Sequence, residues 1–242
     1  MKKKSQNKSA FVTGAAHRIG AEISLTLAKQ GYDIALHYFR SKSEAQKLLQ
    51  AIQKIGRTCK LYQADLRQEI EVKKLIPRVC ADFPALEILV NNASIYEAED
   101  FSKSDFKSFD ENFNLHLKTP FFLTQAFSRQ CKKGQIINLV DSKVSQNKSL
   151  YFTYLLSKKS LLEFTKMSAL SLAPRFRVNA IAPGVILAPV GSSKNYLENL
   201  IEKVPLKKSG SLKDISQALI FLIENEYITG QCLYLDGGSH LI

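Results

Sequence analysis

The chain has little cysteine and never two cysteines close together. Cys59, Cys80, Cys131 and Cys232 are its only four in 242 residues, and without a Cys-x-x-Cys pair neither a zinc site nor a thioredoxin-like centre is expected. They read as reduced, mostly buried thiols, and no metal is expected. A run of about 18 consecutive apolar residues is also missing, which argues against a membrane span. The opening Met1-Lys2-Lys3-Lys4 is followed by polar Ser5-Gln6-Asn7-Lys8, where a secretory signal would need an apolar segment, so no export is implied and a soluble, cytoplasmic protein is expected. Internal repeats, low-complexity tracts and linkers are absent too. With 45% hydrophobic residues, the chain suits one large α/β core and is short for two, so a single domain over 1–242 is expected.

Charge is present in excess of one sign, with a formal net charge of +12. Its lysines are spread along the chain rather than clustered with aromatics, which fits a solvated surface, with attraction of a phosphorylated cofactor as a secondary benefit. Nucleic-acid binding, suggested by charge alone, ranks last.

Short apolar runs of strand character recur at 10–13, 34–38, 59–64, 86–91, 135–140, 178–182 and 232–235. Between them, apolar residues at three- and four-residue spacing predict helices over 19–30, 44–55, 68–82, 113–132, 151–173 and 212–225. This alternation predicts an α/β fold, a Rossmann-type doubly wound parallel sheet of about seven strands with helices on both faces. In such sheets ligands sit at the carboxyl ends of the strands. The segment 183–205, rich in Pro and Gly, interrupts the alternation and reads as a loop with a short helix covering a pocket, or as a plain connection.

Thr13-Gly14-Ala15-Ala16-His17-Arg18-Ile19-Gly20 follows the first strand and opens the first helix, the context of a dinucleotide-binding turn. Small residues there let backbone N–H groups approach a pyrophosphate at a helix N-terminus. The turn resembles T-G-x-x-x-G-x-G of the short-chain dehydrogenase/reductase family, with Arg18 in place of the middle glycine. An arginine there can reach phosphates or a substrate edge with a fork of donors. The exchange resembles the pteridine reductases within that family. After the second strand, His37-Tyr38-Phe39-Arg40-Ser41 offers an arginine and a hydroxyl, and no Asp or Glu occurs between Asp33 and Glu44. That pattern suits the 2′-phosphate of NADPH better than the free ribose of NADH. The resemblance implies further cofactor contacts: Ile19 in the turn, Asp65 and Leu66 at the adenine, Asn92, Ala93 and Ser94 beside the nicotinamide ribose, and Pro183-Gly184 of the segment similar to N-x-I-x-P-G. Ser94 and Tyr96 resemble the pteridine branch, in which an aromatic ring stacks on the pterin; an ordinary loop tyrosine is the alternative for Tyr96.

Tyr154 and Lys158 lie four apart in a helical pattern and so project from one face. A neighbouring ammonium can tune the phenol for proton transfer, and Lys158 can also hold ribose hydroxyls. Thirteen residues before Tyr154, where the family normally has serine, stands Asp141. A carboxylate there would repel a developing alkoxide, accept from an amino-pyrimidine edge and raise the Tyr154 pKa, keeping the phenol a donor. A one-residue slip that puts Ser142 in the serine role is the alternative. His116 stands where the family usually has asparagine and is read as supporting, or as a satisfied core histidine.

The resulting expectation is an NADPH-dependent reductase of a dihydropterin or folate-like ring, with catalytic Asp141, Tyr154 and Lys158, and with Arg18, Ser94 and Tyr96 joining Asp141 and Tyr154 around the substrate. A carbonyl reductase such as a 3-ketoacyl-carrier-protein reductase is the runner-up, and a catalytically silent NADPH-binding sensor the third reading. The resemblance also implies a homo-tetramer joined through the helices at 113–132 and 151–173.

Overall fold

Runs that are apolar on both faces become the buried central strands of a sheet, and the more mixed runs become its half-exposed edges. β1 (Ser9–Val12), β2 (Asp33–Tyr38), β3 (Cys59–Gln63), β4 (Leu86–Asn91), β5 (Gly134–Leu139), β6 (Phe176–Pro183) and β7 (Cys232–Leu235) form one seven-stranded sheet in the order 3-2-1-4-5-6-7. Every pairing is parallel, and all six residues of β2 are buried, as helices covering both sides require. The computed structural model describes residues 7–147, 150–188 and 196–242. The lysines of the opening segment, and 189–195 of the expected covering loop, lie outside the described residues.

One face of the sheet carries α1 (Arg18–Lys29), α2 (Lys42–Lys54) and α8 (Leu212–Glu224), which bury Ile23, Leu27, Leu48, Ile52, Ile215 and Leu219 in a common core. The other carries α3 (Glu69–Asp82), α5 (Thr119–Gln130) and α6 (Phe152–Leu172), whose Leu75, Ile76, Leu123 and Phe127 pack with Phe11 and Phe176. Fully burying such side chains contributes roughly 1.5–3 kcal/mol each, so each face is anchored without help from propensity. α7 (Tyr196–Ile201) is the short helix anticipated within 183–205.

The helix predicted over 113–132 is divided. It starts earlier, as α4 (Phe106–Phe113), capped by a reciprocal Asp105–Ser108 box, then widens into a π turn at Asn114–Lys118 before α5. Pro120 has no N–H to return to the carbonyl of residue 116, and a wide turn accommodates that missing donor. The π turn matters because His116 sits in it.

The strand order reverses between β1 and β4, whose carboxyl ends are clamped together. Thr13 Oγ1 accepts from the backbone N–H groups of Asn92 (2.9 Å) and Ala93 (3.1 Å), while Asn92 Nδ2 donates to the carbonyls of Thr13 (2.9 Å) and Gly14 (3.0 Å). The cleft opens above this clamp.

Candidate active site

Gly14, Arg18, Ile19, Tyr38, Arg40, Ser41, Asp65, Leu66, Asn92, Ala93, Ser94, Tyr96, Asp141, Tyr154, Lys158, Pro183 and Gly184 all line one cleft of about 1490 Å³ at the carboxyl ends of the strands. The glycine turn occupies one side of it. Gly14 has φ +59°, and a methyl group added there would lie 2.8 Å from Ala93 Cα, so both conformation and space exclude a side chain. Gly184 meets the residue that follows β7 as closely, with a hypothetical Cβ 2.6 Å from Asp236 Cβ.

Under the turn lies His37, to which sequence reasoning assigned no role. The Gly14 N–H donates to His37 Nδ1 (3.0 Å), so the proton sits on Nε2, which donates to Ala64 O (3.1 Å). Burial lowers the His37 pKa from 6.5 to about 4, against the opposing pull of the Ala64 carbonyl and Asp65. A neutral ring thus pins the turn to β2 and β3.

Arg18 takes the left-handed backbone conformation natural to the glycine it replaces, with φ 56°. Its guanidinium crosses the cleft and donates to the carbonyls of Leu187 (3.3 Å) and Ala188 (3.1 Å), bridging the turn to the segment after β6. At the far edge, the Arg40 guanidinium lies 4.7 Å from the Phe39 ring centroid, and Arg67 approaches the same ring at 5.4 Å. Arg67 was not anticipated either. It grips both oxygens of Asp65, at 3.0 and 2.9 Å, and reaches Glu111 at 3.4 Å. The Arg67 hydrogen bonds hold the Asp65 carboxyl below its ordinary range. Asp65 therefore enters the cleft already paired.

At the other end of the cleft, β5 delivers Asp141 and α6 delivers Tyr154 and Lys158. Tyr154 Oη donates to Asp141 Oδ2 at 2.9 Å, and Asp141 Oδ1 accepts from the Lys143 N–H at 2.8 Å as the cap of a 3-10 turn. The one-residue slip to Ser142 is therefore not what the geometry adopts: the carboxylate faces the phenol. Burial, then the charge of Asp141 and its hydrogen bond, raise the Tyr154 pKa well above 10. Lys158 Nζ donates to Leu139 O at 2.8 Å, and burial lowers its pKa to about 8, with Asp141 pulling the other way.

His116 lies beneath the cleft rather than in it, fully buried. Its Nε2 accepts from the Ile95 N–H (3.2 Å) and lies 3.0 Å from Ser94 Oγ, so Nδ1 carries the proton and donates to Ser157 Oγ (2.9 Å), which in turn donates to Tyr154 O (2.7 Å). Burial and nearby Lys158 keep the ring's pKa well below 6.5. The tautomer, which no sequence could reveal, ties the loop bearing Ser94 to the helix bearing Tyr154.

Tyr96 is stacked, but on a protein ring. Tyr151 lies parallel to it at 4.3 Å between centroids and 13°, and Tyr154 stands edge-on at 4.9 Å. Lys143 Nζ donates to Tyr96 Oη at 2.9 Å and sits 5.0 Å from the Tyr151 centroid. Tyr151 holds this place with φ 61°, an unfavourable conformation for a residue with a side chain. Neither Tyr151 nor Lys143 was expected from sequence. Among the described residues no cluster of three or more His, Cys, Asp or Glu could hold a metal ion.

Known proteins share this framework. A family model described as enoyl-(acyl carrier protein) reductase, of the short-chain dehydrogenase type, matches residues 14–240. A 3-oxoacyl-[acyl-carrier-protein] reductase, FabG of Staphylococcus epidermidis, is 33% identical over 97% of this chain and 100% of its own length. Among solved structures, the FolM alternative dihydrofolate reductase 1 of Brucella canis, complexed with NADP, superposes with a TM-score of 0.93 at 34% identity, covering 98% of this chain and 95% of that one. A blue fluorescent protein from a metagenomic library, in complex with NADPH, gives 0.89 at 30% identity over 96% and 97%. By the extent of these matches, the chain belongs to the short-chain dehydrogenase/reductase family.

Proposed function

We propose that this short-chain oxidoreductase uses NADPH to reduce a ring C=N bond of a dihydropterin or folate-like substrate. The observation that carries the reading is the 2.9 Å hydrogen bond from Tyr154 Oη to Asp141 Oδ2, which sets a carboxylate where a carbonyl-orienting hydroxyl is the family's usual residue.

The cofactor half fits a phosphorylated dinucleotide. The Gly14 turn leaves no room for a side chain and opens α1, so the pyrophosphate would meet backbone donors and a helix N-terminus there, with Arg18 and Ile19 beside it. Arg40 and Ser41 would hold the 2′-phosphate, Asp65 and Leu66 the adenine edge. Asn92, Ala93, Ser94, Lys158, Pro183 and Gly184 would frame the nicotinamide half. When bound, the cofactor supplies the hydride. NADP or NADPH is also what the Brucella and metagenomic proteins contain.

The protein's own groups would handle the proton. Burial and Asp141 keep the phenol protonated, so Tyr154 Oη remains a donor at neutral pH. An amino or N–H edge of the heterocycle satisfies Asp141, which releases the Tyr154 hydroxyl to turn toward the ring nitrogen. As the proton leaves, the Lys158 ammonium, 5.9 Å from the phenol centroid, stabilises the oxygen left behind. Tyr96, backed by Tyr151, offers a ring plane beside Tyr154, and Arg18 and Ser94 border the same space. The FabG relative favours the runner-up, reduction of a ketoacyl thioester. A carboxylate facing a developing alkoxide opposes that chemistry, which is why the pterin reading is preferred.

Exposed Phe121, Phe122, Met167 and Leu170 on α5 and α6 supply the apolar face for the proposed homo-tetramer. No helix among the described residues is long and apolar enough to cross a membrane, and the proposed setting is the cytoplasm. The test is a steady-state comparison with NADPH. Dihydrobiopterin, dihydromonapterin or dihydrofolate should be reduced; if all three are untouched while a ketoacyl thioester is turned over, the proposal is wrong.

A further inference from the structure

Two cysteines that the sequence keeps far apart are neighbours in the fold. Cys80 lies in the last turn of α3 and Cys131 caps the end of α5, and their Sγ atoms are 4.0 Å apart across 51 residues of chain. α3 and α5 pack against each other on one face of the sheet, so the pairing follows from the fold and not from a flexible encounter. Both thiols are half-buried and therefore within reach of a small reagent. Cys59 is buried in β3.

A disulfide requires an S–S distance of about 2.0 Å, so the two sulfurs must close by roughly 2 Å. Cys131 can supply that movement. It has left the helix, with φ −98° and ψ 147°, and leads into exposed Lys132-Lys133. We propose that Cys80 and Cys131 form a peroxide-sensitive dithiol that closes reversibly to an intramolecular disulfide, a modification site outside the catalytic cleft.

The chemistry divides naturally between the two thiols. The two sulfurs share one hydrogen bond in which either can donate; with the Cys131 S–H as donor, Cys80 is held below the usual thiol range, and the same bond with burial pushes Cys131 up. Burial pushes Cys59 and Cys232 up to about 12 and about 11, which leaves them poor nucleophiles. The Cys80 thiolate attacks one peroxide oxygen, the O–O bond breaks, and the departing oxygen takes a proton and leaves as water. Cys80 is then a sulfenic acid. The Cys131 sulfur attacks the Cys80 sulfur, the S–O bond breaks, and the thiol proton leaves with that oxygen as a second water. The pair loses two electrons and two protons, and the peroxide gains them.

The consequence reaches the cofactor half through the backbone. α3 follows directly on Asp65-Leu66-Arg67, and Thr119 at the start of α5 donates to the Leu66 carbonyl, so the disulfide would weld together the two helices that support that edge. The cross-link also restricts the unfolded chain, so the oxidised protein should melt higher.

The experiment treats the intact, full-length protein with a modest molar excess of hydrogen peroxide, unfolds it, and counts free thiols with N-ethylmaleimide by mass spectrometry. Two of four thiols should be lost, the tryptic peptides carrying Cys80 and Cys131 should be joined within one chain, and dithiothreitol should restore both. In Cys131→Ser, dimedone should trap a sulfenic acid on Cys80. Four reactive thiols after treatment, earlier loss of Cys59 or Cys232, a link joining two chains, or over-oxidised Cys80 without any link would each overturn the proposal.

Discussion

Acidification should destabilise this protein through the ring beneath its glycine turn. His37 accepts from Gly14 N–H on Nδ1 and donates to Ala64 O on Nε2, so a second proton has nowhere to go without facing the Gly14 donor. The folded protein holds the pKa at about 4 instead of 6.5. The unfolded chain therefore binds the extra proton between pH 6.5 and 4 and the folded one does not, so stability is present above that window and is lost as pH falls through it. That gap removes about 2 kcal/mol by pH 5 and about 3 kcal/mol by pH 4, a large part of a typical 5–15 kcal/mol total. His116, also held neutral, adds a loss of the same sign. The assay is urea unfolding from pH 7 to 4 on the wild type and on His37→Asn. The variant should be less stable at pH 7 yet lose about 3 kcal/mol less on acidification. Equal pH dependence in both would refute the assignment of a neutral His37 and, with it, the pinning of the turn.

Other perturbations probe the remaining parts of the cleft. Arg40→Ala should weaken NADPH binding about 10- to 150-fold, the worth of a charge-assisted hydrogen bond, and leave NADH almost unchanged, as fluorescence titration would show. Gly14→Ala forces a methyl toward Ala93 at positive φ and should cost about 1–3 kcal/mol of stability, read by thermal or urea unfolding, with a matching loss of cofactor affinity. Tyr151→Ala removes the ring that backs Tyr96; initial-rate kinetics should show KM for a flat heterocycle rising about 2- to 12-fold, the range of an aromatic stack, with kcat nearly unmoved.

The fold was legible because its signals are long and mutually consistent. Every predicted strand exists within a few residues, since the central runs, buried on both faces, carry an apolar pattern that few other structures would need, and the edge runs keep the same spacing between helices. The helix over 113–132 failed in detail because one proline and a π turn act on hydrogen bonds that periodicity does not record. The same division holds in the site. All the cleft residues named from motifs line one cleft, because each motif stands at the carboxyl end of a strand. What stayed hidden were partners set by tertiary packing: His37 under Gly14, Arg67 on Asp65, Tyr151 on Tyr96, and Cys131 beside Cys80. His37 and Arg67 sit next to anticipated residues, yet nothing in their spacing says which way their side chains turn. Asp141 shows the opposite case, a departure from a family pattern that is visible in the sequence and that the fold sets 2.9 Å from Tyr154 Oη.

The Asp141 carboxylate decides which substrate the site reduces, and exchanging it for the family's usual hydroxyl isolates its part. In Asp141→Ser, kcat/KM with NADPH should fall about 10- to 150-fold for the dihydropterin that the wild type reduces, while turnover of a ketoacyl thioester should hold or improve. Undiminished pterin reduction in the variant, or parallel loss of both activities, would contradict that role.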